Sequence, residues 1–274
     1  MGIGRMPGRG VAHGSARAQS GSAGRGLRES RTQAGIESAL AEWDTRIAEG
    51  GCPMPGFAHD PNGALTVVNR FSVKGNTDRF ERCFRGHAEF LGARAGFVAS
   101  TLVRHTGSPR SYVHLNSWED DDAFVKVTRN EEFLDQVRRL GALVETQGDK
   151  MAAVLRRGAG RAAGGAGHGV VVLVDYEVDD PEEFEQRLAV RADALTGVEG
   201  IRGVELLRST VSPERYLEAI WWTDREVART AMDGATYLAH EPWLPGLAGV
   251  RTTETRLVSS VSAPGPRESG GGVG

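Results

Sequence analysis

The chain has 274 residues and a net charge of −3, with 33 basic and 36 acidic side chains interspersed along it. That balance provides no extended basic surface for nucleic acid, and no run of 18 apolar residues exists to cross a membrane. The expected partners are a small molecule and, at most, a further copy of the subunit. Two cysteines, Cys52 and Cys83, lack metal-ligand spacing and fit a reducing compartment, read here as the cytoplasm.

Residues 1–34 are rich in Gly, Ser, Ala and Arg and nearly devoid of large apolar side chains. Burial cannot offset the entropy of ordering such a segment, so a disordered basic tail is expected. In residues 35–63, Ile36, Leu40, Trp43 and Ile47 recur at helical spacing up to residue 50, and a loop rich in Pro and Gly follows.

A first unit is expected over 64–156. It opens with a strand at 65–73 that puts Val67, Asn69, Phe71 and Val73 on one side. A helix over 77–94, with Thr77 as its N-cap, lines up Phe80, Cys83, Phe84, His87 and Leu91 on one stripe. A second strand at 97–105 leads through Gly107 and Pro109 into a third at 111–118. This third strand places Tyr112, His114, Asn116 and Trp118 on one face and Val113 and Leu115 on the other. A broken helix over 120–127 and 130–143 and a last strand at 149–156 complete a βαββαβ unit.

Residues 157–169 read as a flexible linker, and the plan then recurs over 170–258, before a tail at 259–274 expected to be disordered. Arg104, Tyr112 and Trp118 each return 104 residues later as Arg208, Tyr216 and Trp222. The second unit has a strand at 170–178, a helix at 181–196, strands at 202–208 and 215–222, helical segments over 224–239 and a strand at 251–258. One βαββαβ unit leaves a sheet face without helices, which two copies can bury together. The fold class is therefore α+β, with two ferredoxin-like units forming an intrachain dimeric α/β-barrel. The polar-aromatic faces of the two third strands are expected to point into that barrel.

The segments VVNRFSVKGNTDRFERCF, RAGFVASTLVR and YVHLNSWEDDDAF, with RGVELLR and ERYLEAIWWTD in the second copy, resemble the antibiotic biosynthesis monooxygenase domain. Within that family they are most similar to the cofactor-free anthrone oxygenases of aromatic polyketide pathways. The resemblance implies oxidation of a phenolic ring carbon by O₂ to a quinone, without flavin, haem or metal. It also implies that Asn69, Tyr112 and Trp118 are pocket residues. His114 joins them as a candidate base or phenolate partner because it shares a strand face with Tyr112 and Trp118.

The expected catalytic set is His114, Trp118 and Asn69, and the expected substrate-binding set is Tyr112, Asn116, Phe71, Arg104, Tyr216 and Trp222. Arg104 and Arg208 have two readings, as substrate anchors or as partners of a nearby acid. Glu218, on the second copy's third strand, is either a base or a charge at the barrel mouth, and the first copy is the expected active one.

Two alternatives accompany this reading. In the haem-degrading branch, which also keeps an asparagine on the first strand, the tryptophan and proximal histidine positions correspond to Val127 and Val137 in the first copy. In the second copy His240 is the candidate haem ligand, but Val174 replaces the asparagine. The other alternative is a barrel that binds a hydrophobic metabolite without catalysis. No dinucleotide fingerprint, phosphate loop or nucleophile elbow is present in the sequence.

Overall fold

The computed structural model describes residues 64–159, 169–234, 237 and 244–263. The helix and loop expected over 35–63, the basic tail, the middle of the linker and His240 lie outside the described residues.

The first copy runs β1 (Leu65–Val73), α1 (Thr77–Gly92), β2 (Phe97–His105), β3 (Ser111–Trp118), α2 (Asp121–Thr128), α3 (Glu131–Gly141) and β4 (Val144–Gly158). The second runs β5 (Val170–Val178), α4 (Pro181–Leu195), β6 (Ile201–Ser209), β7 (Arg215–Trp222), α5 (Arg225–Met232) and β8 (Ala248–Ser262). Each helix starts where a short polar side chain satisfies a free backbone N–H: Asp120, Asn130, Asp180 and Asp224 cap α2, α3, α4 and α5. The cap of α1 is Asn76, not Thr77, its side-chain oxygen accepting from the Arg79 amide at 2.8 Å.

The eight strands close into one barrel in the order β1-β3-β2-β8-β5-β7-β6-β4. Closure depends on β4 and β8, each 15 residues long. Strand β4 pairs with β1 through its first half and with β6 of the other copy through its second, and β8 likewise pairs with β5 and then β2. Both strands exceed their expected ends. Residues 144–148 (VETQG) are mostly exposed and show no alternation, so their strand character comes from pairing alone. Residues 259–262, expected in the disordered tail, are the end of β8.

Apolar side chains from both copies meet inside the barrel, beside buried polar ones such as the hydrogen-bonded Thr66 and Ser117. Val68, Val103, Val113, Leu115, Met151 and Ala153 of the first copy meet Val171, Leu173, Leu207, Leu217, Ala219 and Trp221 of the second. An eight-stranded barrel is about wide enough for side chains to fill it, so the apolar faces of both sheets belong there. This corrects the expected orientation: the polar-aromatic face of β3 points at its own helices, not into the barrel. Phe80 and Phe84 of α1 pack on Tyr112 and His114 at centroid distances of 4.9 and 4.7 Å, and Phe124 of α2 lies 5.9 Å from Trp118.

Candidate active site

The site builds up in the layer between the first copy's sheet and its helices. Antiparallel register sets Asn69 of β1 beside His114 of β3, Phe71 beside Tyr112, Val67 beside Asn116 and Leu65 beside Trp118. Helix α1 brings Phe84 and His87 over the same strand positions. His114 is 1 % exposed and lies against the Phe84 edge, parallel to Phe71 at 6.4 Å and across from His87 at 6.4 Å. Its Nε2 is hydrogen-bonded to the Ser100 hydroxyl of β2 at 2.9 Å.

His87 packs against Phe84 and against Phe133 of α3, with centroids 6.0 and 5.8 Å away. Burial lowers its pKa to about 4, and Gln136 acts in the opposite direction, so the ring is neutral at pH 7. Three buried polar atoms of this layer have no hydrogen-bond partner among the described residues: His87 Nδ1, Asn116 Oδ1 and Trp118 Nε1. Such atoms are costly in a native interior, and their recurrence along the face that carries His114 suits a bound polar aromatic molecule.

Tyr112 and Arg104 occupy one edge of the layer and are tied together by α1. The Tyr112 hydroxyl donates to Glu81 Oε1 at 2.7 Å, and Arg104 reaches the same oxygen at 3.4 Å while lying over the Tyr112 ring. Burial, then Glu81, raises the Tyr112 pKa far above the ordinary phenol value, so this hydroxyl stays protonated. The second copy repeats the device, with Tyr216 donating to Glu185 at 2.6 Å and Arg208 pairing with Glu185 at 3.1 Å. Both arginines thus have a neighbouring acid. The recurrence in both copies makes this a clamp between the first helix and third strand of each unit.

The second copy's layer is otherwise different in kind. Glu218 stands at the repeat position of His114, Arg191 at that of His87 and Tyr237 at that of Phe133. Glu218 is fully buried, forms an ion pair with Arg191 and accepts a hydrogen bond from the Tyr176 hydroxyl at 2.7 Å. The Arg191 guanidinium lies 5.0 Å from the Tyr237 ring centroid. Glu218 is therefore inside the sheet–helix layer, not at a barrel mouth. Val174, Val204 and Ile220 replace Asn69, Ser100 and Asn116, and all three are buried.

The antibiotic biosynthesis monooxygenase family model matches residues 64–139 and again 168–243, together more than half of the chain. The chain belongs to the antibiotic biosynthesis monooxygenase family. Deoxynogalonate monooxygenase of Streptomyces nogalater is 39% identical over 79 residues, covering 29% of this chain and 67% of that protein. SnoaB of the same organism, a cofactor-independent oxygenase, is 35% identical, with 32% of this chain and 90% of SnoaB covered and a TM-score of 0.32. Protein FN1347 of Fusobacterium nucleatum shares the fold, with a TM-score of 0.65 at 13% identity over 74% of this chain and 95% of its own. Family and relative make this chain an antibiotic-biosynthesis-type monooxygenase.

In this monooxygenase the fold gathers Asn69, Phe71, Tyr112, His114, Asn116 and Trp118 in one layer. Tyr216 and Trp222 occupy the corresponding layer of the other copy, on β7, and do not join them. Among the described residues no group of three or more His, Cys, Asp or Glu side chains is placed to hold a metal ion. No described helix is long and apolar enough to cross a membrane. Sequence reasoning missed His87, Ser100 and Phe133 as site residues. The available signal was the repeat itself: His87 and His114 are both exchanged 104 residues later, for Arg191 and Glu218.

Proposed function

We propose that this chain is a cofactor-independent monooxygenase that converts an aromatic polyketide-type phenol, an anthrone, to the quinone with O₂, and that the reaction occurs in the first copy's sheet–helix layer. The observation that carries this reading is the pairing of a buried His114 with aromatic walls and unpartnered polar atoms. In the second copy the residues at the His87, His114 and Phe71 positions, Arg191, Glu218 and Tyr176, bond to one another instead.

The electron balance of the reaction needs no outside reductant. A ring CH₂ becomes C=O, one oxygen atom of O₂ enters the quinone, and the other leaves as water. His114, oriented by Ser100, takes the ring-carbon proton as general base, and the resulting electron-rich carbanion passes an electron to O₂. Recombination forms a C–O bond to give a hydroperoxide, whose O–O bond breaks as water is lost. Asn69, Asn116 and Trp118 lie on the same face to orient the phenolic oxygens, and Phe71 and Phe84 hold the ring while excluding water. Metal-free, haem-free protein given the anthrone dithranol under ¹⁸O₂ is expected to yield quinone carrying one labelled oxygen, with saturation in substrate. Unlabelled quinone, or a rate equal to autoxidation, would refute the reading.

A further inference from the structure

We propose that His87 is a substrate-contacting residue of the first-copy site, its Nδ1 hydrogen-bonding a phenolic hydroxyl of the ring system whose carbon faces His114. The inference rests on the anthrone reading above and names the feature of the substrate that the site reads.

Three independent observations converge on it. The first is placement: His87 shares Phe84 with His114, lies 6.4 Å from it and is walled on its other side by Phe133. The second is chemistry. The ring is 6 % exposed, and its Nδ1 has no hydrogen-bond partner among the described residues. Gln136 hydrogen-bonds to the ring, but a second buried ring nitrogen left unpaired is costly, so the bare Nδ1 is not explained by packing or by Gln136. The third is the internal comparison. In the second copy both members of the pair change together, to Arg191 and Glu218, and the new pair is joined directly. Positions 87 and 114 therefore behave as one facing pair across the layer. In the first copy the two rings are not joined to each other in this way, and His87 Nδ1 is left for a third party.

The neutral state of His87 fits the role. Burial holds its pKa near 4, so it presents a neutral nitrogen and no cation competes with the proton transfer at His114. A site with a buried polar atom aimed at a hydroxyl discriminates against the analogue lacking it, because that atom is then left unpaired.

The test crosses the residue with the substrate group. Oxygen uptake is measured with dithranol, which carries two phenolic hydroxyls, and with unsubstituted anthrone, which carries none, for wild type, His87→Leu and His87→Asn. His87→Leu is expected to raise KM for dithranol about tenfold and to leave unsubstituted anthrone within about twofold. His87→Asn, which keeps a buried acceptor near the Nδ1 position, is expected to recover most of the dithranol loss. Thermal unfolding checks that His87→Leu is folded, and His87→Met, which likewise offers no strong hydrogen-bonding group, takes its place in the comparison if it is not. Equal effects of His87→Leu on both probes would overturn the His87 assignment alone. A wild type that oxidises neither probe would overturn the anthrone reading and this inference with it.

Discussion

His87 carries a consequence for stability as well as for binding. In the unfolded chain it titrates near the ordinary histidine value of 6.5, whereas in the folded protein burial lowers it to about 4. Between those values the unfolded state binds more protons, so stability rises with pH across this window and is lost as pH falls from 6.5 towards 4. At pH 5 this one residue is expected to cost the fold roughly 2 kcal/mol relative to neutral pH. Urea unfolding of wild type and His87→Leu at pH 7 and pH 5 checks the difference, and equal losses in the two proteins would contradict it. The residue was visible in the sequence only as a member of an apolar helical stripe. Its role depends on which face of β3 it meets, and a period-two pattern names two faces without saying which one a helix covers. The face bearing Tyr112 and His114 was readable, but its destination was set by competition. Val113 and Leu115 have a better partner in the other sheet than in α1.

At the scale of elements, the helices were legible from their stripes and caps, and β1, β2, β3, β5 and β7 from alternation. The full lengths of β4 and β8 were not, only 149–156 and 251–258, because their halves pair with different copies and long-range register leaves no local mark. One element junction recurs in both copies. Gly96 and Gly200 have φ of 75° and 86°, and their carbonyls accept the amides of Glu119 and Thr223 at 2.8 Å. A Cβ on Gly96 would stand 2.4 Å from Ala123 Cβ of α2, and one on Gly200 would stand 2.2 Å from Val227 Cγ1 of α5. Left-handed backbone and close approach together exclude any larger residue. Gly96→Ala is therefore expected to destabilise the protein by about 2–4 kcal/mol, combining backbone strain with displacement of α2. A change below about 0.5 kcal/mol in denaturant unfolding would show that the turn relaxes freely.

For the whole molecule, tandem fusion permits an asymmetry that a symmetric dimer of identical units lacks. Arg70 and Asp175 are the sixth residues of β1 and β5, so a two-fold pair of identical copies would carry the same residue at both places. Here they form an ion pair, and Arg251 joins Asp175 from β8 at 3.0 Å. The same freedom explains the two layers. The second copy fills its own layer with the directly joined Arg191–Glu218 pair, which is costly to desolvate, while the first copy keeps histidines at those positions. Strand exchange through β4 and β8 makes each copy part of the other's sheet, so the second copy supports the fold whether or not it turns over substrate.

The most direct test of first-copy catalysis is the steady-state rate of oxygen uptake with dithranol for wild type, His114→Ala and Trp222→Phe, each metal-free and haem-free. Loss of the general base is expected to lower kcat at least 100-fold in His114→Ala, whereas Trp222→Phe, buried in the other layer, is expected to stay within about twofold of wild type. Full turnover by folded His114→Ala, or a collapse of activity in folded Trp222→Phe, would contradict the assignment of the chemistry to the first copy.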